Sequence, residues 1–312
     1  VSTDGTTTNL TMLPPTLPIA LEPRVLQSFD GARLTYYASE PPFPGAPTIV
    51  LANGLGGHHL AWRAQIDYLR DRYRFLTWDY RGLYRSPRPP RDEQASYAVA
   101  SHVRDLEALL AKEQVERVAF VGWSMGVQVL LESTRLLPDR AACLVLINGT
   151  PGRPFDTLVP IPGVAPLVPS VVELVRKVHQ LATRAARSAT RQPEALVWMK
   201  RANLIGKSLD DDVFAELVHE FAGLEMEPFL RNLRAIGEHD AWPLVPRVNV
   251  PVLVVSGDRD SFTPADLSER MVRTLPKAEA LLVRGATHYA CIEYPELVNL
   301  RIERFLGEHG FV

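Results

Sequence analysis

Between residues 48 and 148, short uninterrupted apolar runs alternate with longer stretches in which apolar residues recur every three or four positions. The runs are TIVLAN (48–53), RFLTWD (74–79), RVAFVG (117–122) and AACLVLIN (141–148), and a fifth, PVLVVSG (251–257), comes much later. Short runs that are apolar at consecutive positions and rich in β-branched residues predict strands buried on both faces, as in a parallel sheet covered by helices. The intervening stretches HLAWRAQIDYLRDR, SYAVASHVRDLEALLAKE and MGVQVLLESTRLL place their apolar residues on one helical face. Together they predict an α/β fold, with a mostly parallel central sheet and helices on both faces.

Before this region, RVLQSF and ARLTYYA flank Asp30-Gly31, which predicts an antiparallel N-terminal hairpin with positive φ angles supplied by the Asp-Gly pair. Residues 1–23 are polar and then proline-rich, without a basic start and an apolar signal core, and are expected to be a flexible leader. From Asn148 to Pro251 helical periodicity continues without a convincing strand, over a length no loop of a compact domain needs. A helical cap is therefore expected at 151–246, inserted into a core made of 24–150 and 247–312. The cap's first half, to Lys207, is basic and its second, from DDDVFAELVHEF, is acidic, as expected of two solvated helix faces that pair with each other. The segment LVPIPGVAPLVPSVV (158–172) is broken by four prolines, which fits either a moving lid or a static cover.

Composition narrows the function classes. A chain of 312 residues, 46% hydrophobic and 22% charged, is that of an ordinary globular protein. The net charge of -2 gives no basic footprint for a phosphate backbone, so a nucleic-acid partner is not expected. Cys143 and Cys291 lie far apart and outside any zinc or redox spacing. No apolar stretch reaches the roughly 18–20 residues of a membrane span, and with no signal pattern a cytoplasmic location is expected.

The candidate chemistry begins at Gly122-Trp123-Ser124-Met125-Gly126, between a predicted strand and a predicted helix. A Gly-x-Ser-x-Gly match alone arises by chance in roughly one chain in ten of this length at ordinary glycine and serine usage; its strand-to-helix setting is what a nucleophile elbow requires. There Gly122 and Gly126 leave room for a sharp turn, Ser124 is lifted clear of the sheet, and the N–H of Met125 at the helix start can stabilise developing negative charge. A serine hydroxyl needs a base to remove its proton and a group to orient that base. His288, in VRGATHYACIEYPELV, follows an apolar run and precedes a proline-started helix, so it is expected in a loop at a strand end. His58 and His59, beside a glycine-rich loop, are expected at the rim. After PVLVVSG, the segment DRDSFTP offers two carboxylates, Asp258 and Asp260. Asn148 holds the equivalent place after the preceding strand but cannot carry the charge, and Asp266 is read as an early-turn helix residue.

In these residues the chain resembles the α/β-hydrolases with a helical cap, over about residues 25–308, and its order Ser, Asp, His is the one that family uses. The resemblance implies Asp260 rather than Asp258 as the acid, since 257–264 matches Gly-x-x-Asp-x-x-x-Pro there. It also implies that the loop Asn53-Gly54-Leu55-Gly56-Gly57 forms an oxyanion hole, with the backbone N–H groups of Leu55 and Met125 as donors. Asn53 stands where relatives often have histidine and is a candidate for the pocket wall; Trp123 is read as packing or pocket wall. The turn Asp79-Tyr80-Arg81-Gly82-Leu83-Tyr84-Arg85-Ser86 resembles the family's Asp-x-Arg-Gly-x-Gly-x-Ser, with Tyr84 where glycine is usual, and is expected to be structural. Serine at the elbow argues against the dehalogenases and epoxide hydrolases of this fold, which use aspartate. The implied activity is hydrolysis of a small-molecule carboxylic ester with a small to medium apolar acyl group, through an acyl-enzyme and without metal or organic cofactor. The same residues serve C–C, thioester or lactone hydrolysis, acyl transfer or perhydrolysis; a ligand receptor with a silent site is the remaining alternative.

Overall fold

The computed structural model describes residues 21–158, 167–178, 180, 183–184, 200–201, 205–206 and 208–312. Eight strands form one sheet: β1 (Glu22–Gln27), β2 (Arg33–Ala38), β3 (Thr48–Ala52), β4 (Arg74–Trp78), β5 (Val118–Trp123), β6 (Ala141–Ile147), β7 (Val252–Gly257) and β8 (Ala278–Val283). Their order is β1-β2-β4-β3-β5-β6-β7-β8. The hairpin β1–β2 is antiparallel and β2 joins β4 antiparallel; every other pairing is parallel. The hairpin turn uses one left-handed residue rather than two. Gly31 has φ +84° and donates to the Ser28 carbonyl, whereas Asp30 keeps a negative φ and accepts from the Ala32 N–H. A connection of this length needs only the glycine at positive φ.

Alternate strand residues divide the core in two, as the period of two in a pleated strand dictates. Val50, Phe120, Leu144, Leu146 and Val254 face α2 (Val99–Lys112) and α3 (Met125–Leu136), which contribute Leu106, Leu109, Val127 and Leu130. Ile49, Leu51, Val121, Val145 and Val255 face α1 (Arg63–Leu69) and, at the chain's end, the helix Pro295–Glu308, with Ile66, Leu69, Ile302 and Phe305. Each fully buried side chain of this size contributes roughly 1.5–3 kcal/mol, so the sheet is a rigid platform for the loops at its strand ends.

Between β6 and β7 lie α4 (Phe155–Leu158), α5 (Val168–Lys177), α6 (Asp211–Ala222) and α7 (Met226–Glu238). The acidic triplet explains the start of α6: Asp210 accepts hydrogen bonds from the N–H groups of Asp212 and Val213, and Asp211 and Asp212 sit in the first turn, where the helix dipole favours negative charge. Charges on α5 and α7 do pair, Arg176 with Glu227 at 3.1 Å and Arg234 with Glu173 at 3.5 Å. After β7 come α8 (Ala265–Thr274), α9 (Ala290–Glu293) and α10 (Pro295–Glu308). Asp266 is in the first turn of α8, as expected. Of the expected leader, residues 1–20 lie outside the described residues, while Glu22 and Pro23 pair in β1. Residues 159–166 of the proline-broken segment also lie outside them. Among the described residues no helix is long and apolar enough to cross a membrane.

Candidate active site

Ser124 is the single residue between the end of β5 and the start of α3, with φ 55° and ψ −114°. Such a backbone conformation costs a non-glycine residue about 1–3 kcal/mol and persists only where its surroundings over-determine it. Here the Ser124 N–H donates to the Ile147 carbonyl at 3.0 Å, and the Val127 N–H donates to the Ser124 carbonyl at 3.0 Å. The flanking glycines are sterically required. A Cβ on Gly126 would lie 2.2 Å from the Ala52 carbonyl oxygen, and one on Gly122 would lie 2.7 Å from a Leu130 methyl.

The loops after β7 and β8 bring Asp260 and His288 to this serine. His288 Nε2 is 2.8 Å from Ser124 Oγ, and His288 Nδ1 is 2.9 Å from Asp260 Oδ2. Asp260 also accepts from the N–H groups of Phe262 and Thr263 at 2.8 and 2.9 Å, and from Thr263 Oγ1 at 2.6 Å. Burial would raise its carboxyl pKa, but the adjoining His288 ring and the Thr263 hydrogen bonds outweigh burial and hold it below the ordinary carboxylate range. An ionised Asp260 can only accept, so Nδ1 carries the proton and Nε2 presents a lone pair to the Ser124 hydroxyl. Asp258, the alternative carboxylate, is exposed and accepts from the Gly285 N–H at 2.6 Å, away from this chain of bonds.

Three residues have supporting roles that the sequence does not assign. Asn148, at the end of β6 with φ 44°, donates to Asp260 Oδ2 at 2.8 Å and to the Thr287 carbonyl at 3.1 Å. Its place after an all-apolar strand is visible in the sequence; as an amide it supports the acid rather than replacing it. Thr263 holds the Asp260 carboxylate, as described above. Glu293, buried in α9, accepts from the Thr287 N–H at 2.7 Å, the Thr287 hydroxyl at 2.5 Å and the Gly206 N–H at 2.6 Å, and so fixes the backbone immediately before His288.

Two residues expected at the pocket wall hold neighbouring loops through their polar atoms. Trp123 is 6% exposed, and its indole N–H donates to the His288 carbonyl at 2.8 Å, so it braces the histidine loop. Asn53 is 2% exposed. Its amide donates to the Trp78 carbonyl at 2.9 Å and accepts from the Trp62 indole at 2.7 Å, while its own carbonyl accepts from the Tyr80 hydroxyl at 2.8 Å. These bonds anchor the start of the 53–57 loop. Within that loop the Gly57 N–H closes on the Gly54 carbonyl at 2.9 Å around Leu55 and Gly56, and a Cβ on Gly54 would lie 3.3 Å from Ser124 Cβ. The loop thus lies directly against the elbow, where Met125 begins α3 with an N–H that has no intrahelical acceptor. His58, expected at the rim, is instead buried between aromatic rings, 4.1 Å from His59 and 4.7 Å from Tyr84.

The arrangement sets an imidazole beside a hydroxyl and a carboxylate beyond the imidazole, with the N-terminus of α3 directly after the serine. A family model described as alpha/beta hydrolase fold matches residues 47–295. A protein of Agrobacterium fabrum named "Putative carbamate hydrolase RutD" is 30% identical over 270 residues, covering 84% of this chain and 93% of its own. One of the same name from Yersinia enterocolitica is 28% identical, with 82% and 86% covered. Among solved structures, the enol-lactonase from Burkholderia xenovorans superposes with a TM-score of 0.72 at 22% identity over 91% of this chain and 100% of that one. A thermophilic esterase from Thermogutta terrifontis gives 0.69 at 20% identity, covering 92% and 99%. At these identities the two structures speak for the fold alone, but the family match spans most of the chain: this protein belongs to the alpha/beta hydrolase fold family.

Proposed function

We propose that this protein is a serine hydrolase that cleaves carboxylic esters with small to medium apolar acyl groups through an acyl-enzyme. The observation that carries the reading is the hydrogen-bonded run Ser124 Oγ, His288 Nε2, His288 Nδ1, Asp260 Oδ2, with both contacts within 2.9 Å. In the first half-reaction His288 takes the Ser124 proton as Oγ attacks the acyl carbon. Negative charge moves to the carbonyl oxygen, where the N–H groups of Leu55 and Met125 hold it. Collapse expels the alcohol, which receives its proton from His288. Water then attacks the acyl-enzyme with His288 again as base, and the acid leaves as Ser124 regains its proton. Asp260 keeps the imidazole in the tautomer this needs and stabilises the imidazolium. Each oxyanion donor is worth about 2.7–4 kcal/mol of barrier.

In this reading helices α4–α7 act as the cap. Phe221 of α6 and Phe229 of α7 support it: their rings approach so closely that a Cβ on Gly56 would lie 2.8 and 3.1 Å from them. Apolar rings over the 53–57 loop favour apolar acyl groups. A second reading has a specific motive. The relatives named as carbamate hydrolases cover most of this chain, and a carbamate carbonyl is open to the same attack by Ser124.

Ser124→Ala tests the proposal. It is expected to lower kcat on p-nitrophenyl butyrate at least about 10³-fold without lowering the melting temperature; unchanged hydrolysis would overturn the proposal. Wild-type turnover of an alkyl carbamate in preference to the butyrate ester would select the second reading.

A further inference from the structure

Tyr84 sits in left-handed backbone, at φ 51°, a conformation that favours glycine. The turn around it is fixed from several sides. The Leu83 N–H donates to the Tyr80 carbonyl at 2.9 Å, the Ser86 N–H to the Leu83 carbonyl at 3.0 Å, and the Arg85 N–H to Asp79 Oδ2 at 3.1 Å. Held in this way, the Tyr84 ring packs against His58 and its hydroxyl donates to the carbonyl of Gly56. Burial, with the nearby Asp79 and Glu220 carboxylates, pushes the phenol pKa up, so it stays protonated and remains a donor.

The acceptor is what makes this contact matter. Residues 54–57 comprise three glycines and Leu55, a backbone with little intrinsic stiffness. Asn53 anchors the loop at its start and the Gly57–Gly54 bond closes it. Gly56, at φ +68°, leaves no room for a side chain of its own beneath Phe221 and Phe229. Its carbonyl is therefore a handle by which a neighbouring residue can hold the turn.

We propose that Tyr84 is a positioning residue for oxyanion stabilisation: its hydroxyl fixes the Gly56 carbonyl and thereby keeps the preceding Leu55 N–H aimed at the oxyanion formed at Ser124. This role rests on the acyl-enzyme reading given above. A slack loop would leave ester binding intact and weaken only the charged transition state, because that is where the donor acts.

The test uses Tyr84→Phe, which keeps the ring, and Tyr84→Gly, which removes the backbone strain along with the hydroxyl. All rates are normalised to sites titrated with a fluorophosphonate. Both variants are expected to lose about tenfold in kcat on p-nitrophenyl butyrate with KM within about twofold, a fraction of the loss caused by deleting a whole donor. Affinity for trifluoromethyl pentyl ketone, whose adduct with a serine carries the oxyanion, falls in parallel, while competitive inhibition by butyrate does not change. If the wild type binds the ketone and takes the label but the variants match it in kcat and ketone affinity, the role of Tyr84 is overturned alone. A loss confined to KM or to melting temperature also overturns it. A wild type that neither binds the ketone nor takes the label overturns the acyl-enzyme reading and this role with it.

Discussion

Two chains of hydrogen-bonded polar side chains run from a buried acid outward through this molecule, and they differ in the residue at the centre. One runs from Asp260 through His288 to Ser124. The other runs from Asp105 through Arg81 to Asp30: Arg81 donates from Nε and Nη2 to the two Asp105 oxygens at 2.7 Å each, and from Nη1 to Asp30 at 2.6 Å. Ser28 donates to Asp105 at 2.6 Å, and the Ser96 carbonyl accepts from Arg81 at 3.2 Å. Burial opposes the charge on Arg81, but its bonds to Asp105 and Asp30 outweigh that and raise its pKa. A guanidinium cannot surrender its proton, so this second chain can only hold the hairpin, the 79–86 turn and α2 together. An imidazole can, and its chain ends on a half-exposed hydroxyl at the carboxyl end of a strand. The central residue, able or unable to pass on a proton, is what separates the two chains.

Reciprocal substitutions sharpen that distinction. Asp260→Asn is expected to lower kcat about 10⁴-fold by favouring the wrong imidazole tautomer. Asp105→Ala leaves Arg81 buried without its two-point partner and is expected to cost about 3–5 kcal/mol of stability, read as a lower urea midpoint, with kcat per labelled site within about twofold of wild type. Reversal of the two phenotypes would break the comparison.

Asp79 offers a smaller test, as a buried carboxylate without a side-chain cation bonded to it. Oδ2 accepts from the Tyr37 hydroxyl at 2.9 Å and from the Arg85 N–H at 3.1 Å, and Oδ1 has no hydrogen-bond partner among the described residues. Burial pushes its pKa up to about 7. Since this lies above the unfolded value near 3.8, the folded state holds the proton more tightly, and the group's contribution to stability declines as pH rises between the two values. Asp79→Asn removes that decline. Relative to wild type, the variant is expected to gain roughly 1–3 kcal/mol between about pH 4 and pH 8, measured from urea midpoints at both; an unchanged difference would contradict the assignment.

What the sequence made legible follows from the range of the interactions. β3 to β7 are buried, except for the partly exposed Arg74 that opens β4, and read as short apolar runs. β8, at the sheet edge, is mostly half-buried or exposed, and the sequence shows it only as the apolar run before His288. The elbow was legible because its steric demand falls on residues two positions either side of Ser124, and Asp260 because a loop spacing marks it. The roles of Asn148 and Glu293 were not, since their partners lie far along the chain: Asn148 meets Asp260 across 112 residues, and Glu293 meets Gly206 across 87. Asn53 and Trp123 were visible as residues near the chemistry, but only the fold shows that their polar atoms are engaged in holding loops.

The most direct test of the central claim is to map a fluorophosphonate adduct by peptide mass spectrometry. One phosphonylated residue is expected, Ser124, with labelling abolished in Ser124→Ala and strongly slowed in His288→Ala. Label on a different residue, or p-nitrophenyl butyrate hydrolysis that continues in a protein whose Ser124 takes no label, would contradict the claim.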